Sequence, residues 1–186
     1  MKPIKILLTI LFISLLSSPS WSVTFGDLVR RNNLFYEKFS DVPFSGEITG
    51  RKQGSFKNGK RDGAWFWYYE NGQLREKFNF KNGKETGVWV RYYKNGQLQS
   101  KVNLKNGKKD GTWVSYHKNG QLGEKGNYKN GEFDGAWVSY YENGQLEFRE
   151  NYKNGKLEGA SVWKHSDGTV WKKWTGTFKD GKKISD

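Results

Sequence analysis

Four blocks of the chain alternate apolar and polar residues in the same order. GAWFWYYENGQL, GVWVRYYKNGQL, GTWVSYHKNGQL and GAWVSYYENGQL place Trp65, Trp89, Trp113 and Trp137 at a period of 24 residues. A fixed period of this size marks a repeat architecture, and strict alternation marks half-buried strands. Asn-Gly dipeptides punctuate the runs. One set is Asn71-Gly72, Asn95-Gly96, Asn119-Gly120 and Asn143-Gly144; the other is Asn58-Gly59, Asn82-Gly83, Asn106-Gly107, Asn130-Gly131 and Asn154-Gly155. Both residues tolerate the positive φ of a two-residue type I′ turn, so each dipeptide predicts a hairpin. The fold class predicted is all-β, an elongated single-layer antiparallel β-hairpin repeat array without crossovers. Gly63, Gly87, Gly111, Gly135 and Gly159 recur just before the tryptophan strand and predict a bulge or a close backbone approach.

Pairing across two-residue turns assigns the faces. Around Asn71-Gly72 it sets Tyr69 against Leu74, Trp67 against Glu76 and Trp65 against Phe78. The four tryptophans then share a core face with Tyr69, Tyr93 and Tyr141, with Leu74, Leu98, Leu122 and Leu146, and with Phe78, Val102 and Phe148. The other face carries Phe66, Val90, Val114 and Val138. Beside them lies a tyrosine row, Tyr68, Tyr92, Tyr116 and Tyr140, and opposite them a cationic row, Lys77, Lys101, Lys125 and Arg149. A slip of one residue would exchange the faces.

Both ends depart from the pattern, as terminal repeats do. Ser161 stands where the period demands tryptophan; the strand is expected to turn at Asp167-Gly168 and return through Trp171 and Trp174. Residues 44–183 read as the array and 23–43 as a lead-in, with a short strand pair around Asn32-Asn33.

Residues 1–22 read as a secretory signal peptide. Lys2 and Lys5 form a basic start, Ile6 to Leu16 a short apolar run, and Ser20-Trp21-Ser22 the small-residue cleavage site before Val23. The apolar run is shorter than the ~20 residues of a spanning helix. Cleavage would leave 186 − 22 = 164 residues with a net charge of 13 − 2 = +11, and no cysteine to form a disulfide. A protein exported to the periplasm or medium is therefore expected. The positive charge favours anionic partners, and export points away from nucleic acid toward proteins, lipids and polysaccharides of the envelope.

The pattern Asn-Gly-Lys-x-x-Gly-x-Trp-x-x-Tyr-Tyr-x-Asn-Gly-x-Leu, at Asn82, Gly83, Lys84, Gly87, Trp89, Tyr92, Tyr93, Asn95, Gly96 and Leu98, resembles the bacterial variant of the MORN repeat. The resemblance spans about residues 44–183. It implies a string of hairpins in one curved sheet, and roles as scaffold, dimerisation or lipid-binding module. The opening Asp41-Val42-Pro43-Phe44-Ser45-Gly46, with Gly54 to Lys60, looks like a subgroup labelled antitoxin. For an exported chain that label implies immunity against a secreted toxin.

The residues for catalysis are sparse. His117 and His165 are the only histidines, each in a slot held elsewhere by tyrosine, and read as aromatic replacements rather than metal ligands. Asp62, Asp110, Asp134 and Glu158 recur one residue before a repeat glycine and read as turn residues. Ser115, His117 and Asp134 could be drawn as a triad, but nothing supplies a nucleophile elbow. No cofactor, metal or enzymatic activity is expected. The candidate binding face is Tyr68, Tyr92, Tyr116 and Tyr140 with Lys77, Lys101, Lys125 and Arg149. Lys57, Lys81, Lys105, Lys129 and Lys153 line the turn edges, where lysines also guard sheets against aggregation. The expected function is a non-catalytic module binding a protein partner, an anionic lipid or polysaccharide being the alternative; self-association through sheet edges is open to it.

Overall fold

A computed structural model describes residues 22–186, so the expected leader lies outside the described residues except for Ser22. A 3-10 turn, Phe25–Asp27, leads into a separate hairpin, β1 (Leu28–Arg31) and β2 (Leu34–Glu37), turning at Asn32-Asn33. The long sheet begins with β3 (Gly46–Ile48), β4 (Lys52–Lys57), β5 (Lys60–Tyr68), β6 (Leu74–Lys81), β7 (Lys84–Tyr92) and β8 (Leu98–Lys105). It continues through β9 (Lys108–Tyr116), β10 (Leu122–Lys129), β11 (Glu132–Phe133), β12 (Gly135–Tyr140) and β13 (Leu146–Lys153). It closes with β14 (Lys156–Leu157), β15 (Gly159–Trp163), β16 (Gly176–Lys179) and β17 (Lys182–Ser185). Neighbours in this 15-stranded sheet follow chain order, with the short β11 and β14 pairing beside the main path. It is one long antiparallel sheet of hairpins, as the period predicts.

The two Asn-Gly sets build different turns. At Asn82-Gly83 both residues have positive φ, +52° and +79°, and Lys81 pairs with Lys84 across a two-residue loop. At Asn71-Gly72 only the glycine is left-handed, at +80°. There the N–H of Gly72 donates to the carbonyl of Tyr69 at 3.0 Å and the N–H of Tyr69 to Gln73 at 2.8 Å, closing a three-residue loop. Asn71 stays out of the left-handed region because its Oδ1 accepts the N–H of Gln73, at 3.2 Å.

This corrects the predicted register. Leu74 pairs with Tyr68, not Tyr69, and a bulge leaves Arg75 as an extra residue before Glu76 meets Trp67. The leucines Leu74, Leu98, Leu122 and Leu146 thus join the Tyr68 row instead of the tryptophan face. Beyond the bulge the expected pairs hold, Trp65 with Phe78 and Phe66 with Lys77. Gly87, at φ +69°, sits where the register of β6 and β7 shifts, and so forms the expected bulge.

Successive units are tied by side chains and turns. The hydroxyls of Tyr69 and Tyr93 donate to the carbonyls of Tyr92 and Tyr116 at 2.8 and 2.7 Å, and Tyr141 donates to Lys164 at 2.8 Å. At the other edge, the N–H groups of Gly83, Gly107 and Gly131 reach the carbonyls of Arg61, Glu85 and Lys109, each at 2.8 Å. Both edges of the sheet are therefore stitched from unit to unit.

The core is concentrated at the N-terminal end. Phe44, Ile48, Phe56, Trp65, Phe78 and Phe80 form one buried cluster, covered by Val23, Phe25, Leu28 and Phe35. Trp65 is fully buried, while Trp89 and Trp113 are half-buried. Beneath the lead-in the tryptophan face is closed by other segments, whereas in the middle of the array Val102 and Leu104 are buried but Trp89 and Trp113 are covered only in part, by Arg91 and Lys109 among others. Trp137 is the exception: it lies flat on Gly126 and is ringed by Tyr128 and Phe133. At the C-terminus, Trp171 to Thr175 turn instead of returning as a strand, and pairing resumes at Gly176.

Candidate binding face

One row of residues crosses the array from strand to strand. Phe66 pairs with Lys77, Lys77 with Val90, Val90 with Lys101 and Lys101 with Val114. Val114 pairs with Lys125, Lys125 with Val138, Val138 with Arg149 and Arg149 with Val162. Paired residues share a face and adjacent strands lie about 4.8 Å apart, so the cations recur about every 9.6 Å. All four are exposed and the valines between them half-buried. The ammonium of Lys77 lies 5.7 Å from the ring centre of Phe66, within cation–π range.

Tyr68, Tyr92, Tyr116 and Tyr140 fall on the same face by strand alternation, each paired with a leucine. The face sinks between Lys125 and Arg149 into a cavity of about 390 Å³ bordered by Thr112, Asn127, Val138 and Tyr140. The structure therefore brings Tyr140, Lys125 and Arg149 to one depression. Lys77, Lys101, Tyr68, Tyr92 and Tyr116 lie along the row outside it. None of the four cations forms an ion pair among the described residues.

The sequence reading missed a polar groove on the tryptophan face. Its volume is about 340 Å³, and Arg91, Ser100, Trp113, Ser115, His117 and Glu124 border it. The indole N–H of Trp113 donates to Glu124 at 3.1 Å, and Ser139 donates to Glu147 at 2.6 Å. The legible signal was subtraction: Ser115 and Ser139 fill the slot of Trp67, and Gly123 the slot of Arg75. His117 lies here with Nε2 2.7 Å from the carbonyl oxygen of Tyr140, which takes over the tyrosine stitch and requires a proton on Nε2. Asp134 borders the cavity on the opposite face, so Ser115, His117 and Asp134 form no triad.

The recurrent carboxylates serve the turns. Asp62 and Asp110 accept the backbone N–H of Asn82 and Asn130, at 3.2 and 3.1 Å, and Glu158 accepts that of Asp180 at 3.1 Å. Two buried glutamates bind inward. Glu76 meets Arg75 at 3.0 Å and Arg91 at 3.4 Å. Glu150 accepts from Tyr152 at 2.6 Å and from the indole of Trp163 at 2.7 Å. Burial first, and then the bond to Glu150, push the Tyr152 phenol well above its ordinary pKa.

Residues 61–82, 85–106, 109–130 and 133–154 each match the family described as MORN repeat variant. No curated protein matches the chain. A solved structure titled "Crystal structure of GtfA/B complex bound to UDP and GlcNAc" is similar over 72% of this chain and 24% of its own, at 12% identity and a TM-score of 0.19. The chain spans about a quarter of that protein's length.

Proposed function

We propose, from the premise that the chain belongs to the MORN-repeat variant family, that it is an exported, non-catalytic module whose Lys/Tyr face docks an acidic surface of a protein partner. Modules of this family are generally protein-binding scaffolds. The observation that carries the reading is the unbroken row from Phe66 to Val162, in which cations without an ion pair among the described residues alternate with apolar side chains. Such a row offers charge for steering and apolar area for contact on one rigid surface. A secreted toxin neutralised by the array belongs to this partner class, and a toxin-like reading frame beside this one would speak for it. An anionic lipid or polysaccharide is the alternative occupant, favoured by the single sign of the row.

The test is capture from an envelope extract with the native array and with Lys77→Glu, Lys101→Glu and Lys125→Glu combined. A protein retained by the first, released by salt and lost from the folded triple variant supports the reading. Equal retention by both overturns it. Fractionation with N-terminal sequencing tests export: a periplasmic or secreted product starting at Val23 is expected, and an intact cytoplasmic product overturns it.

A further inference from the structure

The hairpin turns at one edge of the sheet hold lysine directly against lysine. Lys57 pairs with Lys60, Lys81 with Lys84 and Lys105 with Lys108 across the type I′ turns. The pattern returns at Lys153 with Lys156 and at Lys179 with Lys182. Like charges placed directly opposite are destabilising in a sheet. The same position can hold the opposite arrangement, as Lys129 facing Glu132 shows within this chain.

These lysines have no internal counter-ion. All are exposed, and among the described residues none of them forms an ion pair. Three of the nearby carboxylates are engaged elsewhere, Asp62, Asp110 and Glu158 each accepting the N–H of the following turn. The turns also form one continuous ridge. The N–H groups of Gly83, Gly107, Gly131, Gly155 and Gly181 each reach the preceding strand pair, and three of the lysine pairs abut the next turn directly, Lys60 at Gly83, Lys108 at Gly131 and Lys156 at Gly181.

We propose that this ridge, along the turn edge of the sheet and separate from the Lys/Val row in its middle, is a docking edge for a linear acidic polysaccharide. Each turn advances by two strands, about 9.6 Å, which is the advance of two pyranose rings. A glycan carrying one or two carboxylate or sulfate groups per disaccharide therefore meets a lysine pair at every turn of the ridge except Asn130-Gly131, where Lys129 faces Glu132. The ridge is a single file of turns, suited to a chain lying along it. It lacks the aromatic platforms on which nucleic-acid bases stack, and it is narrower than the flat surface a bilayer would meet. Self-repulsion within each pair is the cost that a polyanion relieves, so binding and intrinsic stability are opposed at these positions.

That opposition defines the experiment. Immobilised heparin is the probe, with anionic phosphatidylglycerol vesicles and single-stranded DNA as competing occupants. Lys81→Glu and Lys105→Glu together convert two repulsive pairs into opposite-charge pairs, the mirror of Lys129 facing Glu132. The double variant is expected to unfold at a higher temperature than the native array. It is also expected to leave heparin at lower salt, with at least a tenfold loss of affinity. Lys77→Glu with Lys101→Glu, on the sheet face, is expected to bind heparin far better than the ridge variant. Three results would each overturn the proposal: no loss in the ridge variant, a greater loss in the face variant, or tighter binding to vesicles or DNA than to heparin. Failure of the ridge leaves the protein-docking face standing, and the reverse holds, because each is read on its own variant.

Discussion

The hydroxyl of Tyr93 donates to the carbonyl oxygen of Tyr116 at 2.7 Å, joining strands 23 residues apart in sequence. Tyr69 and Tyr141 make the same bond, and His117 replaces it with its Nε2. Stability in a repeat array is a sum of units and the interfaces between them, and these bonds belong to the interface term. Tyr93→Phe keeps the ring and removes the donor. It is expected to cost about 1 kcal/mol, measured by urea unfolding.

His117 extends this argument to a second side-chain type, since its Nε2 must carry a proton to donate to the carbonyl oxygen of Tyr140. His117→Tyr restores the residue of the sister units and is expected to preserve stability, whereas His117→Phe is expected to lose about 1 kcal/mol. Equal stability of the Tyr and Phe variants would show that the bond contributes nothing.

Gly126 has no side chain because Trp137 occupies the space. A β-carbon there would fall within the indole ring system. Gly54 holds the equivalent slot beneath Trp65, where a β-carbon would meet the indole in the same way, while Phe78 and Val102 hold it in the two units between. Gly126→Ala is expected to displace Trp137 and destabilise by about 1–3 kcal/mol, with a shift in tryptophan fluorescence. Gly120→Ala is not a suitable control, since its φ of +85° strains any side chain.

Arg61 lies among four rings, its guanidinium carbon 5.4, 5.5, 5.0 and 5.2 Å from the centres of Phe25, Phe35, Trp65 and Phe80. Burial pulls its pKa down from the ordinary value, and Nε has no partner. The side chain links the lead-in to the first unit. Arg61→Ala is expected to loosen the lead-in and cost about 2 kcal/mol in cation–π attraction and packing. Arg61→Met retains the packing and is expected to lose less. Faster amide exchange in β1 and β2 of the Ala variant is the check.

Two titrations follow from local bonding. The Thr24 hydroxyl, and then its backbone N–H, hold the Asp27 carboxylate below its ordinary pKa. A depressed folded pKa contributes stability above the unfolded value, lost as pH falls through the folded one. The Asp27 midpoint in an NMR titration is expected below that of a free aspartate, and Thr24→Ala is expected to raise it. Tyr152 behaves in the opposite sense. Its raised pKa contributes stability below the unfolded value of about 10 that is lost as pH rises. In an alkaline absorbance titration Tyr152 is expected to ionise last and Tyr152→Phe to remove that latest phase, with Tyr141, raised by burial first, also ionising above the ordinary tyrosine range.

The sequence by itself determined the hairpin order, the period and the Lys/Val row. The alternation of Val90 with its neighbours and the tryptophan spacing set strand order and faces once the chain doubles back at each Asn-Gly, and beyond the bulge the expected pairs hold. Asn32-Asn33 was likewise legible as a turn. Identical dipeptides did not carry turn type, because the left-handed Asn82 and the ordinary Asn71 differ in the hydrogen bonds around them, not in composition. From that difference came the one-residue error that put Leu74 on the wrong face. Burial was also undetermined. Trp65 and Trp113 occupy the same slot, and only the folding of Phe25 and Phe35 over the first unit closes one site and leaves the other open. Local pattern fixes which residues face each other across a strand pair. What covers that face depends on segments distant along the chain, and the tertiary structure alone brings them together.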